Sequence, residues 1–199
     1  MTPSPRRAAK VDAILDAAMT EFVTQGYAAT SLDRIASGAG VSKATIHSYF
    51  QYKEVLFAAL VERMATEVKM AEVLVGSYPD VLSLLRAVAV AILYKDEKSL
   101  HLRDLIRLII GESGRFPELA KIFVQRLCMP MMQTLRGAFQ QVPELADLDT
   151  EILARSFLGS IIFFDLLQDT LHGQAVMPMD RDYFMNTLLE TIAVWIKPS

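Results

Sequence analysis

Lys43, Thr45, His47 and Ser48 lie within one stretch of seven residues whose centre is Ile46. On a short helix that spacing turns Ile46 inward and the four polar groups outward. An ammonium, an imidazole and two hydroxyls are suited to the donor and acceptor pattern of base edges, and a helix of this kind fits a major groove. Ser42 stands at the start of the stretch, where a hydroxyl can cap the helix. Tyr49 and Lys53 follow it, and Arg6, Arg7 and Lys10 form a basic arm that can neutralise phosphates. A plain helical hairpin inside a bundle is the other reading of the same spacing.

These side chains need two elements to position them. Leu32, Ile35, Ala36 and Ala39 form the inner face of a preceding helix, and Thr30 with Asp33 resembles a capping box at its start. Gly38 and Gly40 stop that helix, and the turn through Gly40 needs a residue tolerant of positive φ. Ala36 is small where the helices approach, while Ile35, Val41 and Ile46 form a wedge that fixes their angle. Before them, Ile14, Leu15, Ala18 and Phe22 predict an amphipathic helix ending at Gly26. Phe50 is assigned to the core. Tyr49 can pack its ring and turn its hydroxyl toward phosphate.

The rest of the chain keeps a helical period. Lys53 opens a helix with Leu56, Leu60 and Met64 on one face, running to about residue 74. Gly76, Ser77, Pro79 and Asp80 mark a break. Leu82, Leu85, Ala89 and Ile92 share the next stripe, then Leu102, Leu105 and Ile109 with Ile106 and Ile110. A stretch over 117–141 contains Pro130, which predicts a kink or break. Asp149 can cap a helix over 150–171, and a last helix covers 181–196 before Lys197-Pro198. No useful alternating pattern and no repeat is present, so the expected class is all-α.

Composition narrows the function. The chain has 199 residues, 52% of them hydrophobic and 22% charged, with mean hydropathy +0.29. That is too apolar for a disordered chain. The longest apolar run, 87–94, is far short of the ~18 residues of a membrane span. The first ten residues are polar and basic, so no secretory signal is expected. The single cysteine, Cys128, forbids an intrachain disulfide and fits a reducing cytoplasm. Net charge is −3, yet residues 1–70 hold 8 Lys/Arg against 7 Asp/Glu, and residues 71–199 hold 12 against 16. Charge acts over about a Debye length, so a basic face can bind phosphate on an acidic protein. No Gly-rich phosphate loop, nucleophile elbow or HExxH motif is present, and His47, His101 and His172 are scattered. No enzymatic activity, cofactor or metal is expected.

The residues Ile14-Leu15-Asp16-Ala17-Ala18, Phe22, Gly26-Tyr27, Ala29-Thr30-Ser31, Ile35-Ala36, Ala39-Gly40-Val41-Ser42-Lys43-Ala44-Thr45-Ile46, Tyr49-Phe50, Lys53-Glu54 and Leu56 resemble the N-terminal domain of the tetracycline-repressor (TetR) family. A shorter similarity, Arg107-Leu108-Ile109-Ile110-Gly111-Glu112 with Arg115-Phe116-Pro117-Glu118-Leu119-Ala120, resembles the C-terminal domain of a subset that includes efflux regulators. The resemblance implies a homodimeric transcriptional regulator, usually a repressor released from a double-stranded operator by a small ligand. An activator, or a regulator controlled by a protein partner, is the alternative. By position, Lys43, Thr45, Tyr49 and Lys53 fall where the family contacts DNA, and Thr30 and Ser31 fall where the second helix approaches a phosphate. Ser42, His47 and Ser48 complete the expected contact set. His47 departs from the tyrosine most common there; its protonation would strengthen operator binding below about pH 6.5.

The implied architecture is a three-helix head over 8–52, a connecting helix over 53–75 and a larger helical ligand-binding and dimerisation domain over 76–199. Apolar residues cover nearly the whole circumference of the 150–171 helix, so it is expected to be buried on more than one side. Phe157 and Ile161, with Phe184, Leu188, Ile192 and Trp195 of the last helix, are the expected four-helix dimer interface. A self-contained bundle is the alternative. A pocket is implied in the same domain. Its candidate residues are His101, Arg107, Glu112, Phe116, Met129, Met132, Phe164, Asp165 and Gln168, and flexible thioethers suit an adaptable apolar lining. Arg103, Arg107 and Asp104 also read as a solvated ion-pair face.

Overall fold

Ser, Asp and Gly punctuate the chain into helices, and the apolar stripes then decide how those helices pack. The computed structural model describes residues 5–67, 73, 76, 78–94 and 98–196. Among these residues no strand occurs, and the fold class is all-α. The backbone groups into two compact units. Met1–Ala65 with Leu100–Leu127 form one, and Thr66–Ser99 with Cys128–Ser199 form the other. This grouping differs from the linear division expected, because residues 100–127 gather with the N-terminal helices.

The first unit begins with α1, Pro5–Ala29, so Arg6, Arg7 and Lys10 belong to a helix and not to an extended arm. The helix breaks at Gly26 (φ 78°, ψ 160°), a conformation that needs glycine. Next come α2, Leu32–Gly38; α3, Lys43–Tyr49; and α4, Lys53–Glu67. α1 packs on α2 and α2 on α3. The aromatic rings of Phe22, Tyr27 and Phe57 meet at 5.3–5.9 Å between centroids, and Phe116 adds an edge contact to Tyr27 at 5.2 Å. α6, Lys98–Glu112, and α7, Pro117–Phe123, bury Leu105, Ile109 and Leu119. Ion pairs tie Arg63 to Asp16 (2.8 Å) and Arg126 to Glu62 (2.6 Å).

The second unit holds α5, Val81–Leu93; α8, Met129–Phe139; α9, Thr150–Asp165; and α10, Arg181–Ile196. Asp80 caps α5 by accepting from the Ser83 amide (2.7 Å). Asp149 caps α9 by accepting from the amides of Glu151 and Ile152 (3.0 and 3.1 Å). The core of this unit joins Leu85, Val88, Leu135, Phe139, Phe157, Ile161, Leu189 and Ile192. Arg181 closes one end. Its guanidinium donates to the Leu93 carbonyl (2.6 Å) and to both Asp169 oxygens (2.6 and 2.7 Å).

The departure expected at Pro130 is present, as a local change of helix type and not as a chain break. A π-helical turn, Val124–Cys128, widens the backbone just before Pro130, which relieves the clash between the proline ring and the preceding turn. Two expectations change. The helix from Thr150 ends at Asp165 and continues as a π turn, Leu166–Thr170, short of residue 171. Phe157, Ile161 and Ile192 are fully enclosed in the core of their own unit, so they do not present a face to a second copy. Phe184 and Leu188 are half-buried against that core, while Trp195 is 54% exposed. The exposed apolar side chains of α9 are Ile152, Ile162 and Phe163. The continuation of α4 over 68–72 and at 74, Ser77, and the stop at Lys197-Pro198 lie outside the described residues.

Candidate nucleic-acid interface

The polar face of α3 is built by local hydrogen bonds. Ser42, in extended backbone (φ −71°, ψ 153°), accepts from the Thr45 amide at 3.1 Å and so starts the helix. Its hydroxyl also lies 2.8 Å from the Thr45 hydroxyl. The turn before it closes through the Val41 amide, which donates to the Ala36 carbonyl (3.0 Å), and through Gly40 at φ +64°. Ile35, Ala36 and Ile46 are buried and Val41 is half-buried, as the wedge requires. With Ile46 inside, Lys43, His47 and Ser48 are exposed and Thr45 and Tyr49 partly so. Ser48 donates to the Thr45 carbonyl (2.7 Å), which keeps its hydroxyl over the helix. The Arg7 guanidinium stands over the Tyr49 ring, 5.4 Å from its centroid. Phe50 is buried.

Two expected contacts are committed elsewhere. Thr30 is 3% exposed, and its hydroxyl donates to the carbonyls of Gly26 (2.8 Å) and Glu21 (3.1 Å). It closes the end of α1 and does not face outward. Ser31, one residue later, is the cap of α2: it has extended backbone and accepts from the Arg34 amide (3.3 Å). The Lys53 ammonium donates to the carbonyls of Tyr27 (2.5 Å) and Thr30 (2.8 Å) and lies 4.2 Å from the Tyr27 ring centroid. Those carbonyls sit where α1 ends, so Lys53 is a structural cap for it. Burial pushes its pKa down from the ordinary lysine value. Burial, and then the Glu54 carboxylate, raise the Tyr27 phenol well above its ordinary value. The Tyr27 amide donates to Glu112 Oε1 (3.1 Å), which lies just 3.0 Å from where a Cβ on Gly26 would stand.

A charge partner on this face escapes the sequence reading. Asp33 of α2 reaches α3, with Oδ2 2.5 Å from Lys43 Nζ and Oδ1 3.5 Å from His47 Nε2. The hydrogen bond from Lys43 is the main cause that holds the Asp33 carboxyl below the usual carboxylate range. Arg34 pairs with Glu21 at 3.0 Å. Asp33 resembles a capping-box residue of its own helix, and its position ten residues before Lys43 also allows this bridge.

The residues expected to line a pocket fall in two units. His101, Arg107, Glu112 and Phe116 belong to the first; Met129, Met132, Phe164, Asp165 and Gln168 belong to the second. Within the first, His101 is exposed and Arg107 pairs with Asp104 at 2.8 Å. Glu112 and Phe116 hold Tyr27. Within the second, Phe164 stacks on Phe184 with centroids 4.2 Å apart. The Gln168 amide group donates to the Met177 carbonyl (2.9 Å) and accepts from the Met179 amide (3.3 Å), so it ties down the loop before α10. Asp165 is buried, Met129 exposed and Met132 half-buried. A hollow of about 440 Å³ in the second unit lies among Phe139, Val142, Pro143, Leu145, Leu148 and Thr150, and none of the nine candidates lines it. Among the described residues no three His, Cys, Asp or Glu side chains converge as a metal site, and no helix is long and apolar enough to cross a membrane.

Residues 14–60 match the family model described as bacterial regulatory proteins of the tetR family. Residues 83–183 match the model described as the C-terminal domain of AefR-like transcriptional repressors. The HTH-type transcriptional regulator AcrR of Shigella flexneri is 28% identical over 160 residues, which cover 75% of this chain and 74% of that protein. Among solved structures, the flavonoid-responsive regulator FrrA is 28% identical with a TM-score of 0.65, covering 94% of each chain. Salmonella enterica GusR is 20% identical with a TM-score of 0.73, covering 98% of each, and shows the same fold.

Proposed function

The chain belongs to the TetR family of DNA-binding transcriptional regulators, and from that premise we propose that it is a homodimeric repressor, released from a palindromic operator by a small apolar or amphipathic ligand. The observation that carries the reading is the outward polar face of α3, capped by Ser42 and seated by the buried Ile46. Ser42, Lys43, Thr45, His47 and Ser48 are the residues proposed to meet the duplex, with Ser31 at the start of α2 and Tyr49 beside Arg7 toward phosphate. Lys53 and Thr30 instead close the end of α1.

Dimerisation is supported by apolar side chains that the second unit leaves exposed: Ile152, Ile162 and Phe163 on α9, and Tyr183, Val194 and Trp195 on α10. Large exposed apolar groups on adjacent helices favour burial by a second copy. Two recognition helices about 34–36 Å apart would then enter successive major grooves. A ligand that binds a different spacing better lowers operator affinity by about 5–150-fold for a coupling of ~1–3 kcal/mol. A small-molecule effector is supported by likeness to FrrA, a regulator named as flavonoid-responsive.

The test is selection of genomic fragments by the purified protein, repeated with a library of apolar and amphipathic compounds. The expected result is a palindromic fragment that one compound class releases. Selection of a palindrome that no compound releases would leave the DNA reading and remove the small-ligand one.

A further inference from the structure

We propose that Asp33 is a specificity-determining residue of the DNA face, holding the Lys43 ammonium and the His47 imidazole away from phosphate so that duplex of arbitrary sequence is bound weakly. The inference rests on the DNA-binding reading above and deepens it. Its basis is one carboxylate facing two groups of the recognition helix at once. Oδ2 lies 2.5 Å from Lys43 Nζ, and Oδ1 lies 3.5 Å from His47 Nε2. Lys43 and His47 are four residues apart, so they stand one turn apart on the same side of α3, toward α2.

The pair does little for the fold. The Lys43 side chain is 72% exposed and that of Asp33 45%, and exposed ion pairs contribute little to stability. Its consequence is for the charge shown to a polyanion. Lys43 is the one residue of α3 with a permanent charge. Nearby, Arg34 is paired with Glu21, and the Lys53 ammonium faces main-chain carbonyls. Random duplex is bound almost wholly through phosphate charge. A face whose lysine is already matched by a carboxylate therefore offers random DNA little beyond the Arg7 guanidinium that stands over Tyr49.

An operator offers more than charge. Guanine presents two acceptors to a lysine in the major groove, and cytosine presents an amino donor that a carboxylate accepts. A correct sequence can thus replace the Lys43–Asp33 bond with base contacts and use the freed Asp33 oxygen as an acceptor. A wrong sequence leaves the carboxylate facing phosphate without a partner. Asp33 in this way acts against incorrect duplexes more than it acts for the correct one.

The test compares the full-length wild type, Asp33→Asn, Lys43→Gln and the double variant. Fluorescence anisotropy is read on the palindromic duplex selected by the wild type and on a scrambled duplex of equal length, from 50 to 200 mM salt. Asp33→Asn is expected to raise affinity for the scrambled duplex about tenfold at the lowest salt and to steepen its salt slope by about 1–2 per dimer. Affinity for the selected duplex should rise less or fall, so the ratio of the two narrows. In the Lys43→Gln background the gain should shrink to a small residue. An unchanged ratio overturns the proposal. So does an equal gain with Lys43→Gln, because that marks a bulk-charge effect. A wild type that prefers no duplex removes the underlying DNA-binding reading, which distinguishes that failure from this one.

Discussion

Ser42 and Ser31 show how single hydroxyls place the polar face. Each accepts from a main-chain amide three residues on, which ends one chain direction and starts a helix in another. Replacing Ser42 with Ala removes the acceptor and should cost about 1 kcal/mol of stability. The fall should be visible as a lower melting temperature by circular dichroism, and operator affinity should weaken as the first turn of α3 loosens. A variant that melts with the wild type and binds the selected duplex equally well would show that the cap does not matter. Ser42, Gly40 and Asp149 were legible in the sequence because each acts on residues two to four positions away. Thr30, read with Asp33 as the capping box of α2, is one residue early, because the cap is Ser31. Which of the two caps α2 depends on a backbone angle: Ser31 has φ −125° and ψ 155°, while the Thr30 hydroxyl turns back to α1.

Among the helices, the same limit appears at longer range. Ile46, Ile35 and Phe50 read correctly as interior because the helical period orients them without knowledge of the partner. Lys53 did not, since the carbonyls of Tyr27 and Thr30 lie 26 and 23 residues before it and only the packing of α1 against α4 brings them together. Lys53→Met keeps the apolar stem and removes the donor. Leaving partly buried carbonyls without that donor should cost about 1–3 kcal/mol. The measurement is denaturant unfolding of the variant, with a lower midpoint expected. If instead the midpoint holds and only the salt slope of DNA binding flattens, Lys53 contacts phosphate and its structural assignment is wrong. The π turn before Pro130 is likewise invisible to a pattern search, which registers the missing amide but not the extra residue that accommodates it.

At the scale of the whole molecule, the all-α class and the two-part character were legible, but the division was not a cut along the chain. Residues 100–127 gather with the N-terminal helices, where Glu112 holds the Tyr27 amide and Phe116 holds its ring. Phe157, Ile161 and Ile192, expected at the dimer seam, are interior for a physical reason. When apolar side chains surround a helix, the sequence shows that more than one side is covered but not which cover belongs to its own chain. Phe157 and Ile161 face the interior, and Phe163, 60% exposed, does not. For the proposed dimer, Phe163→Glu should therefore shift the protein toward monomer in light scattering at micromolar concentration while leaving its helicity unchanged. Phe157→Ala should instead destabilise the second unit by about 3–5 kcal/mol. A Phe163→Glu protein that stays dimeric would place the interface on another face.

The central claim is that the outer side of α3 meets DNA, and Lys43→Glu tests it most directly. Lys43 is exposed and lies at the start of the recognition helix, so reversing its charge should leave the melting temperature nearly unchanged. Equilibrium binding to the selected palindromic duplex at 100 mM salt should weaken by roughly 100-fold or more, because each recognition helix of the proposed dimer would lose the Lys43 base contact and turn an anion toward the polyanionic duplex. Wild-type affinity retained by a folded Lys43→Glu protein would contradict the account.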